Sequence, residues 1–330
     1  MKSKEVFETL LSRFSDYSDS YHIKIDTSNH APIFMGVSSR KRPVFIIDVP
    51  YAHSRLYKNL NETAVYSIYK RKTTNDCFRL EIEATSENSF EVFFVVLDDL
   101  IQVASKEEST PILAVINRLL MWEDFFKNTT NGILTHELQI GLFGELLFIE
   151  EQLEKGNHSI ISQWKGPLKE VKDFIIENTA IEVKTSVLTA TNRIRISDEN
   201  QLDSSGFSEL FLNVRLLIQD QMDGRSIPEL IMSINNLLDG DPLLISEFEE
   251  KLMHIGYIES MCEKYERKYE PSDSIWYKVE DKNNLLFPRI VPSDLNNGVK
   301  FVQYQIELST MAPFTIDSLS VDKSLKKDFI

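Results

Sequence analysis

Apolar and polar positions in the first part of the chain follow the two-residue period of β-strands and then change to a helical period. "PVFIIDVP" predicts a short apolar strand, and "FRLEIEATSENSFEVFFVVL" predicts two strands joined by a turn at Ser86 to Ser89. "TPILAVINRLLMWEDFF" has helical spacing, with Thr110 as N-cap and Pro111 in the first turn. Because "NTTNG" interrupts this pattern, we predict a β-rich region that ends near residue 130.

The rest of the chain alternates between helical and extended patterns. A helix is predicted at about 134 to 154, followed by a hairpin within "KEVKDFIIENTAIEVKTSV" and by strands at 193 to 196 and in "LFLNVRLLI". Two further helices, near 227 to 238 and 244 to 255, precede strands in "SIWYKVE" and "VKFVQYQIEL". The tail after Asp317 has no regular pattern, and we expect it to be frayed.

These elements predict a mixed α/β (α+β) fold rather than a pure sandwich or bundle. We divide the chain into a β-rich N-terminal domain (1–130), a core (131–225) and a C-terminal α/β extension packed on that core (226–330).

Composition indicates a globular protein, with 330 residues of which 42% are hydrophobic. The two cysteines, Cys77 and Cys262, have neither metal-site nor disulfide spacing, so we expect a reducing cytoplasm. No apolar run is long enough to cross a membrane. The six histidines show no metal-hydrolase spacing, and nucleotide-binding and serine-hydrolase motifs are absent.

The formal net charge of −15 argues against a nucleic acid partner, because phosphate binding depends on Lys and Arg. The charge is unevenly distributed, however. Residues 161–200 are neutral, with six basic and six acidic side chains, and much of the acid lies after residue 200. Acidic stretches there indicate either a protein partner or simple solubility.

The hairpin carries three charges that its strand pattern does not require. A turn at 177 to 179 would place Asp173 opposite Glu182 or Val183, and alternation along the strand puts Glu182 and Lys184 on one face. Two close carboxylates repel each other, and Mg²⁺ with its preference for oxygen ligands relieves that repulsion. An adjacent lysine can orient water or stabilise phosphoryl charge, so the pattern suits phosphodiester hydrolysis.

The E-x-K triplet by itself has little value, because the chain contains five, beginning at Glu170, Glu182, Glu249, Glu266 and Glu280. The triplet at Glu182 differs in having an aspartate nine residues upstream within a two-strand unit. The alternative is a solvated hairpin face with a cross-strand ion pair.

Glu145 favours the functional interpretation. It falls in the apolar stripe of the predicted helix with Leu142 and Ile149, where an unpaired charge is costly. Gly141 and Gly144 would allow this helix to approach the sheet closely. The alternative places Glu145 at the edge of the stripe or in contact with backbone donors.

The segments "GLFGELLFIEEQL", "WKGP", "DF", "IEVKTS" and "SDENQL" together resemble the PD-(D/E)XK motif proteins over about residues 135 to 205. This resemblance implies a restriction-endonuclease-like core, in which helices flank a mixed central sheet. It also implies Mg²⁺-dependent cleavage of DNA, with Mn²⁺ as an alternative ion. It also implies a place in a bacterial restriction or phage-defence system, with ATPase and methyltransferase partners. A homodimer is compatible with the same resemblance.

Residue by residue, the resemblance implies that Asp173, Glu182, the Val183 carbonyl and Glu145 are metal ligands and that Lys184 is the catalytic lysine. Gln201 resembles a glutamine that reaches such sites from the following helix, with a surface amide as the alternative. Lys172 departs from the family by replacing the proline of the motif.

The acidity of the chain keeps other functions open. The basic runs Arg40 to Arg42 and Lys70 to Lys72 are candidate phosphate contacts, with solvated loops as the alternative. We expect a DNA endonuclease. The competing hypotheses are a non-catalytic DNA-binding or scaffold subunit that keeps the nuclease fold, and an enzyme that cleaves RNA.

Overall fold

The computed structural model describes residues 2–13, 19–27, 31–51, 60–73, 77–107, 109–130, 133–188, 193–282 and 285–327. The chain forms two compact units, Met1–Leu134 and Thr135–Ile330. The further division of the second unit into a core and an extension stays a prediction. Within the described ranges, no helix combines the length and apolar character that crossing a membrane requires.

The N-terminal unit contains a five-stranded antiparallel sheet in the order β1-β2-β3-β5-β4. Its strands are β1 Tyr21–Lys24, β2 Ile33–Val37, β3 Pro43–Pro50, β4 Tyr66–Lys72 and β5 Cys77–Ala84. Alternate apolar residues such as Met35, Phe45 and Ile82 are fully buried. The other elements of this unit are helices α1 Ser3–Arg13, α2 Phe90–Lys106 and α3 Pro111–Asn128 and the two-residue strands β6 Thr129–Thr130 and β7 Ile133–Leu134.

The second strand predicted after the turn at Ser86 is wrong, because residues 90–106 form helix α2. Val92, Val96 and Leu100 have a helical spacing and are buried, so the tertiary structure uses this run as a helix face. The run is rich in aromatic and β-branched residues and therefore also fits a strand pattern.

The second unit is built on a five-stranded mixed sheet in the order β14-β12-β11-β9-β8, which confirms the predicted mixed α/β fold. Strands β9 and β11 are parallel, and the other neighbouring pairs are antiparallel. The strands are β8 Phe174–Ile176, β9 Thr179–Val187, β11 Glu209–Gln219, β12 Tyr269–Lys278 and β14 Thr315–Ile316.

One face of this sheet packs on a long helix, α4 His136–Glu154, which contacts β9. Thr135 is its N-cap and accepts a hydrogen bond from the Leu138 N–H at 3.4 Å. Bidentate ion pairs also hold α4, from Arg215 to Glu151 and from Arg225 to Glu150. The remaining helices of this unit are α5 Ile160–Gln163, α6 Ile227–Leu237, α7 Pro242–Ile255, α8 Leu308–Met311 and α9 Ser318–Lys327.

The other face of the sheet is covered by a two-stranded sheet of β10 Arg193–Ile196 and β13 Tyr304–Glu307. A buried apolar cluster lies between these layers and contains Ala180, Leu212, Ile194 and Ile306. The strand at 193–196 therefore exists as predicted, but it pairs with β13 outside the central sheet.

Two local predictions need correction. The tail after Asp317 forms helix α9, because Val321 and Leu325 are four residues apart and both are buried. In the hairpin, Ile176 pairs with Thr179, so the turn contains only two residues, and Glu177 has a φ of 53°. The first strand begins at Phe174 because residues 171–173 bend away while the Lys172 side chain turns inward.

Of the two glycines that were predicted to allow the close approach of α4 to the sheet, only one does so. A Cβ on Gly144 would lie 1.7 Å from the Thr185 Oγ1 atom of β9, so only glycine fits there. A Cβ on Gly141 would meet nothing within 4 Å, and the prediction for Gly141 is wrong because that position faces away from neighbouring atoms.

We expect Gly144→Ala to lower the free energy of unfolding by about 1–3 kcal/mol through overpacking against Thr185. Gly141→Ala is the matched control and should raise it by about 0.5–1 kcal/mol, because alanine reduces the backbone entropy lost in a helix. Urea denaturation followed by circular dichroism measures both. Equal effects of the two substitutions would contradict the close approach at Gly144.

Candidate active site

Asp173 directly precedes β8, and both its backbone carbonyl and its carboxylate accept hydrogen bonds. Its backbone carbonyl accepts hydrogen bonds from the Lys165 N–H at 2.7 Å and the Gly166 N–H at 3.1 Å. Its Oδ2 atom accepts from the Val183 N–H at 2.7 Å. Because the N–H and C=O of a strand residue point to the same side, the Val183 carbonyl also faces Asp173.

Glu182 and Lys184 form a buried ion pair on the neighbouring strand. Glu182 is 0% exposed, and its Oε1 atom accepts a hydrogen bond from the Lys184 ammonium at 2.7 Å. Its second carboxylate oxygen, Oε2, is buried and has no hydrogen-bond partner among the described residues. A solvated hairpin face is therefore incompatible with this structure.

Glu145 reaches the same site from α4. Its Oε2 atom accepts a hydrogen bond from the Trp164 indole N–H at 2.6 Å, and Trp164 is fully buried. A Cβ on Gly166 would lie 3.0 Å from Glu145 Oε2 and 3.3 Å from Asp173 Oδ1. The two carboxylate oxygens are therefore no farther apart than the sum of these distances. The segment "WKGP" contributed to the family resemblance, but the sequence assigned no role to Trp164 or Gly166.

The site concentrates negative charge where little solvent reaches. Burial and repulsion by Asp173 raise the pKa of Glu182 to about 8, against the opposing effect of Lys184. Burial, followed by repulsion from Asp173, raises the pKa of Glu145, and burial also raises the pKa of Asp173. Burial alone would lower the pKa of Lys184, but Glu182 and Asp173 raise it overall, so this lysine stays charged.

The donor set fits a divalent cation. Two carboxylates, of Asp173 and Glu182, and the Val183 carbonyl offer oxygen ligands, and the partnerless oxygen of Glu182 is a position that a cation would satisfy. Across the described ranges, no three His, Cys, Asp or Glu side chains are arranged as a complete metal site. Shared ligation by Glu145, Asp173 and Glu182 stays a prediction.

Lys172 connects the site to the segment after β10, a role that the sequence did not reveal. Its side chain is buried, and its ammonium donates hydrogen bonds of 2.7 Å to the carbonyls of Asn200, Gln201 and Asp203. Burial lowers the pKa of Lys172 to about 8, while Glu182, Asp203 and Asp173 oppose that shift. Lys172, which replaces the motif proline, thus holds the segment 200–203 close to the residue before Asp173.

Gln201 lies in a turn, whereas the resemblance predicted a helix. Its Oε1 atom accepts hydrogen bonds from the Ser197 N–H at 2.9 Å and the Ser197 hydroxyl at 3.1 Å. The side chain therefore stabilises the same turn whose carbonyls bind Lys172. Local side-chain hydrogen bonds of this kind compete with helix formation, so the segment stays a turn. A catalytic role for Gln201 stays a prediction.

The predicted basic runs lie in the N-terminal unit. Arg40 to Arg42 form the turn between β2 and β3, and Lys70 to Lys72 end the edge strand β4. Arg40 lies 3.6 Å from Glu83, and Arg71 lies 3.3 Å from Glu81. Nearby carboxylates thus offset part of this positive charge.

We expect Lys172→Met to reduce the free energy of unfolding by about 3 kcal/mol or more, because three buried carbonyls lose a charged donor. Lys155→Met is the matched control. Its ion pair with Asp322 is partly exposed and should contribute about 1 kcal/mol or less. Thermal and urea unfolding compare the two variants, and similar losses would contradict a special role for Lys172.

Comparison with known proteins gives a single finding. No curated protein and no solved structure matches this chain at a significant level. A family model described as "Putative PD-(D/E)XK family member, (DUF4420)" matches residues 4–309. That match covers most of the chain and includes every residue of the site, and the protein belongs to this family.

Proposed function

We propose that the protein is a Mg²⁺-dependent endonuclease that hydrolyses DNA phosphodiester bonds. The observation that carries this proposal is Glu182, a fully buried carboxylate with one oxygen on Lys184 and the other without a partner. A structural ion pair requires only the oxygen that binds Lys184. The other oxygen is buried beside Asp173 without a partner, which is costly unless a cation binds to it.

Each residue of the site has a distinct role in this reaction. Asp173, Glu182 and the Val183 carbonyl would hold the divalent ion, which when bound polarises the phosphate and makes water a better nucleophile. Lys184 stays charged and stabilises negative charge that develops on the phosphate. Glu145, whose pKa is raised by burial and by repulsion from Asp173, can orient a water at the edge of the site.

The wider setting belongs to the same proposal. PD-(D/E)XK membership supports DNA as the substrate, and we propose the chain as the nuclease component of a restriction or phage-defence system. ATPase and methyltransferase subunits of such a system would supply DNA affinity that an acidic chain lacks. A cytoplasmic location and a homodimer are compatible with this role.

A non-catalytic DNA-binding or scaffold subunit is the second candidate function. The ion pair between Lys184 and Glu182 favours it, because one carboxylate oxygen is already occupied. Such a subunit would use the buried charges only for structure. Metal binding and cleavage separate the two candidates.

We expect Lys184→Met and Asp173→Asn each to reduce DNA cleavage roughly 100-fold or more, because each removes a charge that acts on the transition state. Cleavage of supercoiled and linear DNA with Mg²⁺ or Mn²⁺ measures this effect, and an RNA substrate serves as comparison. Circular dichroism must show that the fold is retained.

Lys282→Ala is the control for these variants, because Lys282 ends another E-x-K triplet, outside the hairpin. It should cleave as the unaltered protein does. Undiminished cleavage by both Lys184→Met and Asp173→Asn would exclude this site as the catalytic centre.

We expect Mg²⁺ to stabilise the protein more at pH 8.5 than at pH 6. In the metal-free fold the pKa of Glu182 is raised to about 8. Protonation of Glu182 therefore favours folding, and this contribution to stability is lost as the pH rises through 8. Cation binding requires the deprotonated carboxylates that exist at the higher pH. Thermal unfolding with and without Mg²⁺ measures the difference.

Asp173→Asn should abolish this pH-dependent gain, because it removes one carboxylate ligand. At a hundred times its dissociation constant, a ligand adds about 2.7 kcal/mol of stability. An equal effect of Mg²⁺ on Asp173→Asn and on the unaltered protein would support the scaffold alternative.

A further inference from the structure

Phe301 combines two unfavourable features in one residue. Its side chain is 81% exposed, and its φ is 60°, in the left-handed region that aromatic residues rarely adopt. The other described non-glycine residues with positive φ are all polar, namely Lys41, Lys169, Glu177 and Asp239. Strain of this kind persists where the surrounding structure imposes it, and it is frequent at functional sites.

The segment around Phe301 is anchored rather than loose. The Val302 N–H donates a hydrogen bond of 2.7 Å to Glu199, a carboxylate that is only 7% exposed. The Gln303 side chain accepts a hydrogen bond of 2.6 Å from Arg195 of β10. Tyr304 then begins β13 opposite Ile196. These contacts fix the chain directly after Phe301, whose side chain lies in solvent.

This anchored segment borders the proposed active site. Tyr304 packs against the apolar cluster that includes Ala180, which lies on the same face of β9 as Glu182 and Lys184. Burial raises the pKa of Tyr304, and Lys184 and Glu182 are among the charges that act on its phenol. Phe301 precedes Tyr304 by three residues, which span at most about 11 Å.

Cations and carboxylates both lie near this segment, and two of the carboxylates, Glu199 and Glu182, already accept hydrogen bonds from Val302 and Lys184. Lys300 is exposed beside Phe301, and Arg289 and Lys184 act on the Tyr304 phenol. Cations position a nucleic acid through its phosphates, and an apolar side chain inserted between base pairs unstacks them. The exposed ring of Phe301 beside Lys300 matches an apolar wedge next to a phosphate contact.

We infer that Phe301 is a wedge residue that inserts between stacked base pairs of duplex DNA next to the cleavage site. This inference rests on the proposed function and adds a residue from outside the PD-(D/E)XK motif. Insertion would compensate for the exposure of the phenyl ring and would kink the duplex. Phe301 is therefore a substrate-binding residue in the C-terminal part of the chain.

The test uses a duplex that contains 2-aminopurine, whose fluorescence rises when it is unstacked. Lys184→Met serves as the parent because it should bind DNA with Mg²⁺ without cutting it. Adding Phe301→Ala should remove the fluorescence increase and weaken binding about tenfold, the effect of losing one aromatic contact with a base. Adding Leu243→Ala, at a residue that is also 81% exposed, should change neither.

Three results would overturn the inference. If Phe301→Ala and Leu243→Ala bind the duplex alike, Phe301 is not a wedge, although the proposed function stands. If Phe301→Ala instead converts an oligomer of the chain to a monomer in sedimentation, the residue serves a protein contact. If the parent does not bind DNA at all, the wedge is rejected, whereas the proposed function is decided separately by cleavage with the unaltered protein.

Phe301→Gly separates the wedge from a structural role. Glycine adopts positive φ without strain, so this variant should raise the thermal midpoint of unfolding while it weakens DNA binding as Phe301→Ala does. These opposite effects support the inference. A lowered midpoint would show that Phe301 stabilises the fold and would overturn it.

Discussion

The burial of charge around Glu182 is the constraint on which the arrangement of residues 135–330 depends. Removing an ion from water costs several kcal/mol even after the protein relaxes, and a buried pair is often no more stable than apolar residues of equal volume. Glu182 nevertheless has no exposure, and Lys184 and Lys172 supply the opposing charge. Stability alone does not explain such a cluster, whereas the reaction that we propose for it would.

Two glycines make this concentration of charge geometrically feasible. Gly144 brings α4 against Thr185 of β9, and Gly166 leaves room between Glu145 and Asp173. The cover of β10 and β13 closes the other face of the sheet and limits solvent at Glu182. The site therefore lies between a helix and a second sheet, and its burial raises the pKa values of its carboxylates.

The excess acid of the chain is not spread evenly over its two units. Residues 1–134 hold 18 acidic and 16 basic side chains, and residues 135–330 hold 33 and 20. The unit that contains the site thus carries almost all of the net negative charge of the chain. Because phosphate binding depends on local cations, affinity for DNA would come from the cations near Tyr304 and from partner subunits rather than from the overall field.

By itself, the sequence determined the helix with Glu145, the hairpin with Glu182 and Lys184, and the mixed class of the fold. These features depend on periodicity and turn chemistry, which act between residues close in the chain. The same local information failed for residues 90–106, whose apolar run fits either a strand or a helix until packing selects one. The contacts of Trp164 with Glu145 and of Lys172 with the 200–203 carbonyls were decided only by the tertiary structure, because they join side chains to partners brought close by the packing of several elements.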